Sequence, residues 1–196
     1  MTDHFPPIIL ASKSPRRQEL LNLMGIDFRV VLKDVDETYP EGLTASETAL
    51  YISEKKAKAF DEFISDEIVI TADTIVVING EILGKPESND HALEILSTLS
   101  GKMHEVITAV TLLKNSHIHS FYEVSKVYFK PITEEQIRHY IKIGNPMDKA
   151  GAYGIQEWIG LIAIDRIDGS YTNVVGLPTH RLYQELCSFI KLDLTK

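Results

Sequence analysis

The chain has 196 residues, 44% hydrophobic and 24% charged, with a formal net charge of -8. That is ordinary globular composition with length enough for a sizeable core in one domain, and the acidic balance excludes the broad basic face of a nucleic-acid-coating protein. A single cysteine, Cys187, excludes an intramolecular disulfide. The first residues lack a signal peptide's cationic and apolar regions, and no apolar run approaches the ~18 residues of a membrane span, so a soluble cytoplasmic protein is expected.

Strand and helix signals alternate along the chain. IIL is short, apolar and β-branched. Ser14 and Pro15 follow as N-cap and first helical position of a helix through RRQELLNLM that stops at Gly25. FRVVL reads as a second strand and DVDETYPEGL as an acidic loop. Thr44 and Glu47 form a capping box that opens a helix to about Phe63. EIVITADTIVVINGEIL predicts a strand, an interruption at Ala72-Asp73-Thr74, a second strand and a hairpin turn at Asn79-Gly80. A helix over NDHALEILSTLSG ends near Gly101, and HEVITAVTLLK and HSFYEVSKVYFK are strands joined by a polar turn. TEEQIRHYIKIG carries a second capping box, Thr133 to Gln136, with Gly144 behind it. IGLIAIDRIDG is strand-like, and VVGLPTHRLYQELCSFIK is a short strand end and a final helix. The pattern is α/β with a mixed sheet, because hairpins occur beside crossover helices.

Several residues stand out against this frame. Arg16 and Arg17 occupy the second and third helical positions after Ser14, where unbonded N–H groups and the helix dipole favour an anion. Arginine forks and the Ser12 and Ser14 hydroxyls would complete a phosphate cradle. The plain alternative is a capped helix with solvated arginines. On the helix after Thr44, Ala45, Ala49, Ile52, Ala59 and Phe63 fall on one apolar stripe, and Lys56 falls in its centre. A lysine there needs a partner or a cleft, unless it merely snorkels. Asp73 places a carboxylate in an apolar strand run, Lys85 lies between Gly84 and Pro86, and Glu37 lies in a loop with Asp34 and Asp36. Gly151 and Gly154 permit close backbone approach. There is no Walker A loop, no G-x-G-x-x-G after a strand, no zinc-ligand spacing among the seven histidines and no G-x-S-x-G elbow. Any metal would be a hard cation held by carboxylates and phosphates.

The segments LASKSPRRQELL, DVDET, KAKA, TADTIVV, LGKP, LSGKMHEVITAV, MDKAGAYGIQ and IDGSYTNVVGLP occur in an order that resembles the Maf family of nucleoside triphosphate pyrophosphatases. The resemblance spans nearly the whole chain and implies a single Maf-like domain over 1–196. It further implies an elongated α/β fold similar to that of inosine triphosphate pyrophosphatases, with a mixed central sheet, flanking helices and a nucleotide cleft between two lobes. A homodimer, a nucleoside triphosphate substrate and a divalent metal cation, Mg²⁺ or Mn²⁺, are implied with it; neither nucleic acid nor a membrane is an expected partner. By the same likeness Ser12, Ser14, Arg16 and Arg17 match a phosphate-binding corner, and Glu37 an acidic residue on the metal side. Lys56 and Lys85 match two site lysines, and Asp73 matches the proton acceptor that activates water and shares the metal. Arg17, Thr74 and Gln156 match the subfamily that acts on dTTP and UTP rather than its 7-methyl-GTP sister. Glu157 and Trp158 depart from the many relatives with Gly after the glutamine. Two further readings stay open: a division-related interaction protein in which catalysis is secondary, and a house-cleaning pyrophosphatase for other modified nucleotides.

Overall fold

The computed structural model describes residues 5–61 and 66–193. Strands β1 (Ile8–Leu10), β2 (Phe28–Val30), β3 (Ile68–Ile78), β4 (Glu81–Leu83), β5 (Met103–Lys114), β6 (His117–Phe129) and β7 (Ile164–Asp168) form one sheet. Its order is β2-β1-β3-β5-β6-β7, with β4 paired to β3. The sheet is mixed, as expected: β1 is parallel to β2 and β3, whereas β4 on β3 and β7 on β6 are antiparallel. The helices are α1 (Pro15–Leu23), α2 (Ala45–Lys58), α3 (Asn89–Leu99), α4 (Glu134–Gly144), α5 (Trp158–Ala163), α6 (Tyr171–Val175) and α7 (Thr179–Asp193). The chain divides into two compact units, Met1–Asp73 with Thr108–Glu123 and Gly176–Lys196, and Thr74–Ile107 with Val124–Val175.

In the first unit, β1 and the first half of β3 are apolar on both faces, the signature of a strand pair covered on two sides. Ile8, Leu10, Ile68, Ile70 and Ala72 pack with Leu21 of α1 and with Leu182, Leu186 and Phe189 of α7. Ile9 and Val69, on the alternate face, pack with Ala57 of α2 and with Phe60 just beyond it. Helix α1 begins at the expected residue, and Gly25 adopts the left-handed conformation (φ +68°) that a helix exit favours. The Ser14 side chain makes no capping bond; instead the Ser14 N–H donates to Ser12 Oγ at 3.2 Å. Both capping-box bonds of Thr44 and Glu47 are present. Helix α2 ends at Lys58, short of the predicted end at Phe63, which lies outside the described residues.

One expected break is absent. β3 runs without interruption through Ala72, Asp73 and Thr74. Its residues 68–70 pair with β1 and its residues 76–78 with β4, so Asp73 falls between two paired stretches of a continuous strand. The polar residue therefore marks a gap in pairing along one edge rather than a break in the backbone.

The second unit has its own core, in which Val76 and Ile78 pack with Ile95, Leu96 and Leu99 of α3 and with Ile137 and Tyr140 of α4. The Asn79-Gly80 turn has positive φ at both residues (52° and 85°), as its hairpin requires. Three boundaries differ from the sequence expectation. IGLIAIDRIDG is the short helix α5 followed by β7, not one strand. Here Gly160 permits a tight entry, because a Cβ on it would stand 1.8 Å from the Ile155 carbonyl oxygen. VVG carries no strand end, since Val174 and Val175 belong to α6. Gly144 is the last residue of α4, and Asn145 takes the left-handed cap (φ 44°). No helix among the described residues is long and apolar enough to cross a membrane.

Candidate active site

Lys56 leaves α2 beside the apolar stripe and ends in an ion-pair cluster. Its Nζ stands 2.8 Å from Asp73 Oδ1 and 2.9 Å from Glu37 Oε1, and its side chain is only 17% exposed. The anomaly of a charged residue on a buried stripe is thereby explained: the ammonium is desolvated but doubly neutralised. Asp73 is buried on a rigid strand, and Glu37 is half-exposed on a loop. That loop is tied to α2 a second time. Lys55 Nζ donates to Asp36 Oδ2 and to the Thr38 carbonyl, both at 3.0 Å. Hydrogen bonds from Thr38, with Lys55 beside them, hold the Asp36 carboxyl down at about 2. Thr74 follows Asp73 on the strand and so projects from the opposite face of β3.

The N-terminus of α1 lies in the same unit. Arg17 donates from Nε to the Gly176 carbonyl at 2.9 Å, and from Nη1 to the Ala72 carbonyl at 2.9 Å and to Ser12 Oγ at 3.2 Å. Its fork thus clamps three segments of the unit beside Asp73. Burial pulls the guanidinium below its ordinary value and the charge of Asp73 works against that pull, but arginine stays protonated throughout. Ser12 is buried, while Ser14 and Arg16 are half-buried on the same turn. The structure therefore brings Ser12, Arg17, Glu37, Lys56 and Asp73 into one bonded neighbourhood, with Ser14 and Arg16 at its helix end.

Lys85 and Gln156 lie in the second unit, and both are exposed. They belong to loops joined by a hydrogen bond from Gly151 N–H to the Gly84 carbonyl at 3.2 Å. Sequence reasoning missed the polar network beneath Gln156. Tyr140 donates its hydroxyl to Glu157 Oε2 and accepts the Gly154 N–H at 3.0 Å, and Lys149 Nζ pairs with Glu157 Oε1 at 3.1 Å. The only signal was the departure at Glu157, which periodicity could not connect to Tyr140 or Lys149. His104 is buried, with Nε2 at 2.7 Å from the Tyr153 hydroxyl, and burial lowers its pKa to about 4.

No group of three or more His, Cys, Asp or Glu side chains able to hold a metal occurs among the described residues. Glu37 and Asp73 offer hard oxygen donors, a set that fits a divalent cation whose other ligands come from substrate oxygens and water.

A family model described as Maf-like protein matches residues 7–189, the span that contains every residue above. The chain belongs to the Maf family. Among the relatives of this Maf-like chain is the dTTP/UTP pyrophosphatase of Phocaeicola vulgatus, 51% identical over 181 residues, covering 91% of this chain and 94% of the relative. The dTTP/UTP pyrophosphatase of Bacteroides thetaiotaomicron is 50% identical over the same shares. A solved structure, the Ham1 protein of Staphylococcus aureus, aligns with 63% of this chain and 71% of its own at 20% identity and a TM-score of 0.43.

Proposed function

We propose that this Maf protein hydrolyses dTTP and UTP to the nucleoside monophosphate and pyrophosphate. The observation that carries the reading is the Lys56 ammonium held between Asp73 and Glu37 on a rigid strand and a pinned loop. Identity near 50% to relatives named for that activity supports it.

In this mechanism Asp73 is the general base. A carboxylate oxygen takes a proton from water as the water oxygen bonds to the α-phosphorus. The α–β anhydride bond breaks, and its bridging oxygen leaves with pyrophosphate. Lys56 and Lys85 offset the charge that grows on the leaving group. The α1 N-terminus, with Ser12, Ser14, Arg16 and Arg17, binds the triphosphate, while Thr74 and Gln156 serve base selection. A divalent cation held by Glu37, Asp73 and phosphate oxygens would supply further neutralisation of the triphosphate. The working form is a cytoplasmic homodimer, which analytical ultracentrifugation tests directly.

The deciding experiment is pyrophosphate release with Mg²⁺ across dTTP, UTP, CTP, ITP, 7-methyl-GTP and the purine triphosphates. Turnover concentrated on dTTP and UTP is the expected result. Turnover centred on ITP or 7-methyl-GTP would overturn the specificity, and a folded protein that releases no pyrophosphate from any of them would overturn the activity.

A further inference from the structure

The turn that carries Gln156 is anchored on both sides. Ile155 is buried on one side, and on the other Glu157 turns its carboxylate inward, so Gln156 alone is left exposed. Glu157 Oε2 accepts the Tyr140 hydroxyl, and that hydroxyl accepts the Gly154 N–H at 3.0 Å, so one phenol joins the two ends of the turn. The Glu157 N–H donates to the Gly154 carbonyl at 3.0 Å. The approach is close: a Cβ on Gly154 would stand 2.8 Å from Glu157 Cδ.

Glu157 Oε1 pairs with Lys149, whose side chain is 7% exposed. The Lys149 ammonium also meets Asp148 Oδ1 at 2.9 Å, the carbonyl of Gly144 that ends α4 at 3.2 Å and that of the cap residue Asn145 at 2.9 Å. A cation at that end complements the helix dipole. A buried ion pair of this kind adds little net stability compared with an apolar substitute, but it tolerates few arrangements of its partners. Its benefit here lies in holding one conformation of the turn.

We infer that Glu157 is a positioning residue for base selection: clamped by Lys149 and Tyr140, it fixes the Gly154–Glu157 turn and so presents the Gln156 amide in one place. The inference rests on the reading of Gln156 as a base contact. Glu157 itself touches no substrate; it acts on the nucleobase through the backbone on which Gln156 sits.

The test uses Gln156→Ala, Glu157→Ala, Glu157→Gln and the double variant Gln156→Ala/Glu157→Ala. For each, kcat and KM are measured for UTP and ATP, with inhibition by inorganic tripolyphosphate as a probe that has no base. Glu157→Ala is expected to lower the preference for UTP over ATP about tenfold, chiefly through KM for UTP. Its tripolyphosphate inhibition constant stays unchanged. Glu157→Gln, whose single amide oxygen can accept from Lys149 or from Tyr140 but cannot replace both carboxylate oxygens, restores part of the preference, and the double variant discriminates no worse than Gln156→Ala alone. If Gln156→Ala lowers the preference and Glu157→Ala leaves it intact, the positioning inference falls while the base-contact reading stands. Equal losses on UTP, ATP and tripolyphosphate would show a merely structural role and overturn it. If Gln156→Ala leaves the preference intact, the base-contact reading fails first and the inference with it. Should Glu157→Ala not fold, Tyr140→Phe removes only the hydroxyl between Gly154 and Glu157. It is expected to lower the preference in the same sense, and an unchanged preference there overturns the inference.

Discussion

A lysine shared by two carboxylates is a demanding arrangement for single residues. With Lys56 in place, Asp73 and Glu37 approach one another's charge at tolerable cost; without it, two acids would face each other in a half-buried corner. Asp73→Asn preserves shape and the hydrogen bond but removes the proton acceptor. It is expected to cut kcat by about 10²–10⁴ while nucleotide binding, followed by calorimetry, stays near normal. Turnover close to wild type would remove Asp73 from the general-base role. His104 offers a residue-scale prediction about pH. Burial holds its folded pKa at about 4, below the ordinary 6.5, so the unfolded chain takes up the proton first as pH falls. The stability that neutral His104 contributes is present above pH 6.5 and is lost progressively down to about pH 4, on the order of 3 kcal/mol in all. In urea unfolding the difference between wild type and His104→Gln should therefore shrink as pH falls from 7 toward 4. A difference that stays constant would refute the assignment.

At the scale of elements, β3 and α2 act as a rigid pair that sets the Asp73 and Lys56 side chains against each other. The Thr71 hydroxyl donates to the Ser53 carbonyl at 2.7 Å, and the Ser53 and Thr111 hydroxyls meet at 2.9 Å, so buried hydrogen bonds link strand, helix and neighbouring strand. The start of α2 is set by the Thr44 capping box. Thr44→Ala should cost about 1 kcal/mol and lower the melting temperature by about 2–4 °C, with kcat changed far less than by Asp73→Asn. A large loss of kcat with an unchanged melting temperature would mean that Thr44 does more than cap.

On the scale of the whole molecule, each unit has its own apolar core, and β3, β5 and β6 pass from one unit into the other. The Lys56 cluster belongs to the first unit and the Gln156 turn to the second. The formal net charge is -8, with 28 acidic side chains against 20 lysines and arginines, a balance that repels a polyanion. Duplex DNA should therefore show no band shift with this protein even at about 50 mM salt, where electrostatic binding is strong. A salt-sensitive shift would restore nucleic acid as a partner.

The sequence by itself determined the elements whose signals are local. Capping boxes at Thr44 and Thr133, the proline start of α1 and the Asn79-Gly80 turn depend on residues within a few positions of one another, and each stands where its chemistry required. It also carried the family, because the resembling segments run from Leu10 to Pro178, inside the span 7–189 that the family model matches. The wheel of α2 showed that Lys56 needed a partner, but not which one. Only the tertiary structure decided that Asp73 lies within an unbroken strand rather than at a break, since that depends on pairing with β1, far off in the chain, as well as with the adjacent β4. It alone decided that α5 is a helix, that Arg17 clamps Gly176 and Ala72, and that Glu157 turns inward to Lys149 and Tyr140. Arg17 is the clearest case, since its partners lie 55 and 159 residues away, where local propensity carries no information.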